Sequence, residues 1–132
     1  MSSSYHWRQW PARDCIDGNQ FSLCATRKEP GAWLSIEVGS GSRVDYVSVL
    51  NRADNREYMS WLSPFEVWVG RWAGDVSSAS AARCGEVQDV ETAAGPFMVN
   101  CNGAVGSHVT LRLAGDTPRY LTVAELYAYS AT

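Results

Sequence analysis

Residues 65–70 read FEVWVG, and the pattern of this short stretch indicates the class of fold. Its apolar residues Phe65, Val67 and Val69 alternate with a Glu and a Trp. Successive side chains of a β-strand point to opposite faces of a sheet, whereas an amphipathic helix would repeat its apolar residues every three to four positions. The stretch therefore predicts a half-buried strand with its odd-numbered residues in a core.

Similar stretches recur on both sides of FEVWVG. They are AWLSIEV (32–38), RVDYVSVL (43–50), PFMVNC (96–101), HVTLRL (108–113) and RYLTVAELYAY (119–129). GSGS at 39–42 predicts a turn between two strands, and the small residues of 74–86 predict a loop. The alternation shifts phase at Ala124-Glu125, which indicates a bulge in the last strand. Short strands at this spacing predict one all-β domain over residues 1–132, an antiparallel sandwich or barrel.

The composition fits a globular domain and excludes some classes of binding partner. The 132 residues are 45% hydrophobic and carry a formal net charge of −3. A nucleic-acid-binding domain needs a basic surface, so no nucleic-acid partner is expected. No apolar run is long enough to span a membrane, and the acidic net charge argues against a lipid-headgroup partner.

Four cysteines bear on the compartment of the protein. Cys15, Cys24, Cys84 and Cys101 allow three pairings, of which two local bridges, Cys15–Cys24 and Cys84–Cys101, are the simplest. Their spacing does not match paired zinc ligands. Disulfides favour a secreted or cell-surface protein, and four thiols in a reducing compartment are the alternative. The first 14 residues lack the apolar run of a secretion signal, so the cysteines alone carry this expectation.

The order of motifs along the chain carries a resemblance to a known family. ARDCIDGNQFSLC (12–24) is followed by a Trp-containing strand, VSVLNRAD (47–54) and FEVWVG. A segment bounded by two cysteines (84–101) and GSHVTLRLAGDTPRYLTVAELYAY (106–129) complete the order. Together they resemble the discoidin fold, also found in coagulation-factor C domains, and within it the F-type, fucose-binding lectins. The resemblance implies an antiparallel jelly-roll β-sandwich that binds ligand through loops at one end and performs no catalysis.

The loop from Asp14 to Cys24 is rich in oxygen ligands. Calcium takes six to eight oxygens, backbone carbonyls included, and an Asx-turn without an ion is the alternative. In F-type lectins the corresponding loop and a glutamate of the last strand hold a structural calcium. The matching residues here are Asp14, Asp17, Asn19, Ser22, the Ala124 carbonyl and Glu125. Position 124 usually carries the cysteine that pairs with the equivalent of Cys24, so Cys24 is expected to pair with Cys15 instead.

The strand exit VSVLNRADNREY (47–58) supplies the candidate ligand-binding groups. In extended chain Arg52 and Asp54 point the same way, and a guanidinium beside a carboxylate suits vicinal sugar hydroxyls. A plain surface ion pair is the alternative. The R-x-D pattern matches the fucose site of F-type lectins, but the usual histidine is replaced by Ala-Thr-Arg27 and the second basic position falls near Met59.

The predicted function is therefore a lectin-like recognition module with a structural calcium, suited to cell-surface adhesion. Arg52 and Asp54 would bind a glycan or glycoprotein, with Arg27 and Arg56 as further donors and Trp68 as a stacking side chain. The changed pattern allows two interpretations: a specificity other than fucose, such as an acidic or sulfated glycan, or a site with no sugar function. No catalytic motif is present. The alternative is a discoidin-type protein-interaction module without sugar binding, in which exposed tryptophans contact a protein partner or a second copy of the chain.

Overall fold

The computed structural model describes residues 24–53, 56–88 and 95–130, which are built mainly from strands. The strands are β1 (Cys24–Ala25), β2 (Trp33–Leu50), β3 (Phe65–Gly70), β4 (Ala82–Val87), β5 (Phe97–Leu113), β6 (Thr122–Val123) and β7 (Glu125–Tyr129). A short helix α1 (Arg56–Met59) and a 3₁₀ turn (Ser60–Leu62) lie between β2 and β3. In this described part of the chain, no helix is long and apolar enough to cross a membrane.

Strand β3 confirms the alternation that predicted it. Phe65, Val67 and Val69 are completely buried, while Glu66 and Trp68 are partly exposed. The same pattern holds in β5, where Val109, Leu111 and Leu113 are also completely buried. Each buried aliphatic or aromatic side chain contributes roughly 1.5–3 kcal/mol relative to exposure. These two strands therefore supply much of the core.

The long strands bend, so that the sheet folds into two layers. Five strands pair antiparallel in the order β4-β3-β5-β2-β7. Leu113 at the end of β5 pairs with Phe65, yet the Phe65 ring lies 6.4 Å from the ring of Phe97 at the start of β5. A straight strand of 17 residues would separate its ends by about 53 Å. The two halves of β5 must therefore face each other, which confirms the predicted antiparallel β-sandwich.

A disulfide joins the two layers. Cys84 of β4 is bonded to Cys101 in the first half of β5, as predicted. Cys24 is also disulfide-bonded. Its predicted partner, Cys15, lies outside the described residues.

The turn predicted at 39–42 is wrong. Residues 33–50 form one strand, and the extra residues are absorbed where the register with β5 shifts between Glu37 and Ser42. Gly39 and Gly41 have φ angles of 93° and 71°, a left-handed backbone that glycine adopts without steric cost. These two glycines therefore let β2 bulge rather than end.

The structure also corrects the sequence prediction in two other segments. The bulge predicted at Ala124-Glu125 is wrong: the chain changes sheets there, because β6 pairs with β1 whereas β7 pairs with β2. The loop predicted over 74–86 is wrong for its last part, since β4 begins at Ala82. Small and polar residues suffice there because β4 pairs with β3 on one side only.

The remaining loop, after β3, is organised by Asp75. Its carboxylate accepts hydrogen bonds from the amides of Arg71 (2.8 Å), Ser77 (3.3 Å) and Ser78 (3.0 Å) and from the Ser78 hydroxyl (2.6 Å). Burial alone would raise the pKa of Asp75, but these hydrogen bonds, that from the Ser78 hydroxyl first, lower it to about 2. The buried, charged carboxylate of Asp75 thus stabilises the conformation of the loop through hydrogen bonds.

We expect this group to make stability depend on acid pH. Because the folded-state pKa is lowered, its stabilising contribution is complete above the unfolded value of 3.8 and is lost as pH falls through 3.8 toward 2. The contribution at neutral pH is about 2 kcal/mol. Urea unfolding of Asp75→Asn between pH 7 and 2.5 should show a lower free energy of unfolding at pH 7 and a flatter acid limb. An equal flattening in the exposed control Asp116→Asn would refute the assignment.

Candidate functional site

Asn51 shapes the chain where it leaves strand β2. Its side chain is buried and donates from Nδ2 to the carbonyl of Met59 at 2.9 Å. Its Oδ1 accepts from the amide of Arg52 at 2.9 Å. Both ends of the segment that carries helix α1 are thereby tied to one amide side chain, which fixes where Arg52 leaves the sheet.

Arg52 lies over aromatic rings. Its guanidinium carbon is 4.9 Å from the centre of the Tyr58 ring and 5.8 Å from that of Trp61. The Trp61 ring in turn packs 4.7 Å from Tyr58 and 4.5 Å from Tyr120, centre to centre. A cation over an aromatic face contributes about 0.5–1 kcal/mol at an exposed site. The four side chains thus form one continuous stack, with Tyr58 exposed at its edge.

Arg27 reaches the same end of the sandwich through strand pairing. The amide of Thr26 donates to the carbonyl of Leu121 at 2.9 Å, and the amide of Leu121 donates to the Thr26 hydroxyl at 3.0 Å. These bonds hold Thr26 beside Leu121, and Arg27 and Tyr120 are the next residues on the two paired segments. Arg27 is exposed to solvent. We call the surface defined by Arg27, Arg52, Tyr58, Trp61 and Tyr120 the loop end.

Arg119 precedes Tyr120 in the chain and joins segments beside the loop end. Its guanidinium donates to the carbonyls of Ser63, Pro64 and Ala114, and its backbone pairs with Glu29. Burial lowers the pKa of Arg119, although an arginine stays charged at neutral pH. The Arg119 side chain therefore links two turns, at residues 63–64 and at Ala114, and its backbone adds a third segment at Glu29.

The structure places the predicted ligand-binding residues in different surroundings. Arg52 and Arg27 lie at the loop end, as described above. Asp54 lies outside the described residues, and Arg56 begins helix α1 with its side chain outside the described part. Trp68 instead lies on the outer face of β3, paired with Thr110 and Arg83.

Trp68 belongs to a polar network on that outer face. Its indole Nε1 donates to Glu66 at 3.2 Å, and Glu66 also lies 3.6 Å from Arg83 and 3.5 Å from Arg112. These contacts occupy the polar edge of the indole. None of the contacts described for Trp68 connects it to the loop end.

Sequence reasoning missed Tyr58 and Tyr120. Tyr58 lies in helix α1 and Tyr120 follows three further strands, β3, β4 and β5, so only the fold brings both rings against Trp61. The one available clue was the density of aromatic residues around the polar strand exit. Neither tyrosine shows a pattern that marks it as part of a site.

The two described residues of the predicted calcium site lie at the sheet switch. Glu125 is 1% exposed, and the amide of Ala124 donates to the carbonyl of Leu50 at 2.8 Å. Cys24 pairs with Val123, so the point where the predicted ion-binding loop joins β1 is next to Ala124. Asp14, Asp17, Asn19 and Ser22 lie outside the described residues. Within residues 24–53, 56–88 and 95–130, no three His, Cys, Asp or Glu side chains group as a metal site.

Comparisons with solved structures identify the fold. The chain is similar to the lectin domain of lectinolysin complexed with Lewis B antigen, with TM-score 0.80, 20% identity and coverage of 99% of this chain and 90% of that one. It is also similar to an F-lectin from striped bass (Morone saxatilis) serum, with TM-score 0.83 and 25% identity over 99% of this chain and 44% of that one. A Clostridium perfringens family 32 carbohydrate-binding module, complexed with GalNAc-β-1,3-galactose, gives TM-score 0.77 and 17% identity over 98% and 91%.

These neighbours share the discoidin-like fold, and the resemblance drawn from the order of motifs is confirmed. The chain has the fold of F-type lectins and related carbohydrate-binding modules. The sequence itself matches no protein-family model and no curated protein.

Proposed function

We propose that this domain binds carbohydrate at its loop end. The observation that carries the proposal is the stack of Arg52 on Tyr58 and Trp61, continued by Tyr120. A sugar presents hydroxyl groups at its rim and an apolar patch of C–H groups on its ring face. A guanidinium fork held beside aromatic rings meets both requirements. The structural neighbours, which are lectins and carbohydrate-binding modules, support this chemistry.

The roles of the individual groups follow from their chemistry. Arg52 would donate hydrogen bonds to ring hydroxyls, and Tyr58 would pack against the sugar and offer its own hydroxyl. Asp54 remains the proposed acceptor for vicinal hydroxyls, and Arg56 a further donor. Ala25 and Thr26 are buried whereas Arg27 is exposed to solvent, so Arg27 would take the place of the histidine that F-type lectins usually carry. Two arginines near one ligand favour a glycan that also carries a carboxylate or sulfate group.

A glycan array tests the proposal directly. Labelled protein is applied to neutral, sialylated and sulfated glycans, and a positive signal is competed with the free glycan. We expect saturable binding to a defined subset, with the acidic members among the strongest. Uniform absence of competed signal across the array would reject a carbohydrate-binding function.

Protein docking is the alternative function, and the described tryptophans support it less. Trp61 packs within the stack and Trp68 is bonded to Glu66, whereas Trp72 is largely exposed. A docking surface would need a contiguous apolar patch of several hundred Å². Gel filtration of Trp68→Ser distinguishes the two, since a changed assembly state would favour a protein partner or homo-oligomer.

We also propose a structural calcium ion between the first loop and the last strand. The position of Glu125 supports it, because its buried carboxylate lies next to Ala124 at the start of β7, and Asp14, Asp17, Asn19, Ser22 and the Ala124 carbonyl would complete the oxygen set. The ion would join the N-terminal loop to β7 and take no part in a reaction.

Removal of calcium should lower the stability of the domain. An ion that binds only the folded state stabilises it by about 1.4 kcal/mol at ten times its Kd. Thermal unfolding of EDTA-treated protein, repeated with added CaCl₂, should show a midpoint that rises with calcium concentration. Glu125→Gln should abolish the rise and Glu86→Gln should keep it. A midpoint insensitive to calcium in the unmodified protein would exclude the ion.

The disulfide supports a secreted or cell-surface location, because structural disulfides persist in oxidising compartments. A single module with this role would mediate adhesion to glycosylated surfaces. It needs no catalytic group, and we propose that it is not an enzyme.

A further inference from the structure

Three tyrosines project from the outer face of the layer formed by β7, β2 and β5. Tyr46, Tyr127 and Tyr129 are 40%, 40% and 48% exposed. Tyr46 pairs directly with Tyr129 across the two strands, and the rings of Tyr127 and Tyr129 are 6.2 Å apart with an interplanar angle of 32°. The solvated face of an antiparallel sheet is usually polar. In this domain the solvent-exposed face instead carries a strip of three tyrosine side chains.

A polar hollow continues this strip. It has a volume of about 290 Å³ and is lined by Arg43, Asp45, Tyr46, Asn100 and Asn102. Arg43 donates from Nε to Oδ1 of Asp45 at 3.0 Å, with the arginine side chain 62% exposed and the aspartate side chain 9% exposed. The pair offers guanidinium donors to solvent and anchors them on a nearly buried carboxylate.

Two consecutive residues beside the hollow have left-handed backbone conformations. Asn102 has a φ of 53°, and its amide donates to Oδ1 of Asn100 at 2.8 Å. Gly103 follows with a φ of 74°, and a Cβ atom there would lie 3.0 Å from Cζ of Arg43. Asparagine and glycine adopt left-handed backbone more readily than other residues, so Asn102 and Gly103 can form this tight bend. The turn holds the guanidinium against its glycine, so Arg43 is oriented before any ligand arrives.

We infer that this surface, which we call the tyrosine face, is a second carbohydrate-binding site. Its ligand would be a neutral oligosaccharide of two or more rings. The sugar faces would pack on Tyr127 and Tyr129, and the hydroxyls would bond Arg43, Asp45 and Asn100. Amide and carboxylate oxygens accept and guanidinium nitrogens donate, which is the mixture that a polyol requires. A protein partner would instead favour an apolar centre depleted in charge.

The tyrosine face is separate from the loop end. Tyr127, the tyrosine nearest the loop end, pairs with Ser48, which is four residues before Arg52, about 13 Å of extended chain. One monosaccharide cannot contact both surfaces, so each can be removed alone. Two sites on one domain would raise the avidity for clustered glycans without any new contact.

An array of neutral oligosaccharides of two to six rings tests the inference. The variants are Arg52→Ala for the loop end, and Arg43→Ala and Tyr127→Ser/Tyr129→Ser for the tyrosine face. Tyr127→Phe/Tyr129→Phe keeps the rings, and Arg83→Ala is the arginine control on the other layer. We expect Arg52→Ala to retain a subset of signals. That subset should fall at least tenfold when either tyrosine-face change is added, and should survive the phenylalanine and Arg83 changes.

Each outcome decides one of the two sites. If the tyrosine-face variants bind every glycan as the unmodified protein does, or no array member is bound at all, the inference is wrong. If Arg52→Ala has no effect while the tyrosine-face variants lose binding, the loop-end proposal fails and the tyrosine face stands. Thermal midpoints within about 2 °C of the unmodified protein establish that these exposed changes leave the fold intact.

Discussion

Replacing Arg52 by Ala is expected to weaken the domain's affinity for its strongest array glycan between about tenfold and a hundredfold. The change removes charged hydrogen bonds to ligand hydroxyls, each of which contributes about 1.5–3 kcal/mol when desolvated. It also removes the cation that lies over Tyr58 and Trp61, so the rings lose a contact that orders them. Isothermal titration with the purified glycan measures the loss directly.

Two further variants separate this role from a general effect of charge. Arg52→Lys keeps the charge but loses the planar fork, and it should recover only part of the affinity. Arg83→Ala removes an arginine paired with Glu66 and Glu86 and should bind as the unmodified protein does. Equal losses for Arg52→Ala and Arg83→Ala would point to nonspecific electrostatics.

Removing the Cys84–Cys101 disulfide is expected to lower the free energy of unfolding by about 3 kcal/mol. The bridge closes a loop of sequence separation 17 and joins an edge strand to the opposite layer of the sandwich. Without it, the unfolded chain gains conformational freedom that the folded domain lacks. For a domain of this size the thermal midpoint should fall by about 10 °C.

Cys84→Ala/Cys101→Ala is the suitable variant, because it leaves no thiol free to exchange with the bonded Cys24. Urea unfolding of the variant and the unmodified protein gives both free energies. The loop-end stack does not include either cysteine, so glycan affinity at 20 °C should be retained while the variant remains folded. A loss of less than about 0.5 kcal/mol would mean that the bridge adds little to the constraint between the layers.

The fold was predictable where buried and exposed residues alternate. The FEVWVG and HVTLRL stretches became β3 and the end of β5 with the expected faces buried, because register is strongly specified when one face is in the core. The errors fell where that signal is weak. Strand β4 consists of small and polar residues at an edge, and the glycines at 39 and 41 look like a turn although they form a bulge in β2.

Only some residues of the candidate site could be predicted from the sequence. Arg52 could be proposed because its neighbours in sequence are polar and follow a strand. Tyr120 joins the stack through folding alone, since no local pattern connects it with Trp61. Trp68 was proposed from its outward strand phase, which is correct, but an outward phase does not reveal that its indole is bonded to Glu66. Its part in ligand binding stays a prediction.

The neighbours share a scaffold with this chain at low sequence identity. Their identities to this chain are 20%, 25% and 17%, while the TM-scores lie between 0.77 and 0.83. A shared fold does not fix a ligand, because specificity resides in the side chains that the loops carry. The specificity proposed for this chain would therefore reside in its own loop-end side chains, Arg27, Arg52, Tyr58 and Tyr120.

Nuclear magnetic resonance of the indole N–H signals tests the central claim most directly. Trp61 lies within the loop-end stack and Trp68 lies on the outer face of β3, so the two indoles report on two places in one titration. With the strongest acidic glycan of the array, the loop-end account predicts a saturable shift of the Trp61 signal at the same Kd as titration calorimetry and a Trp68 signal that stays in place. Saturable binding that moves Trp68 and leaves Trp61 unchanged would contradict it.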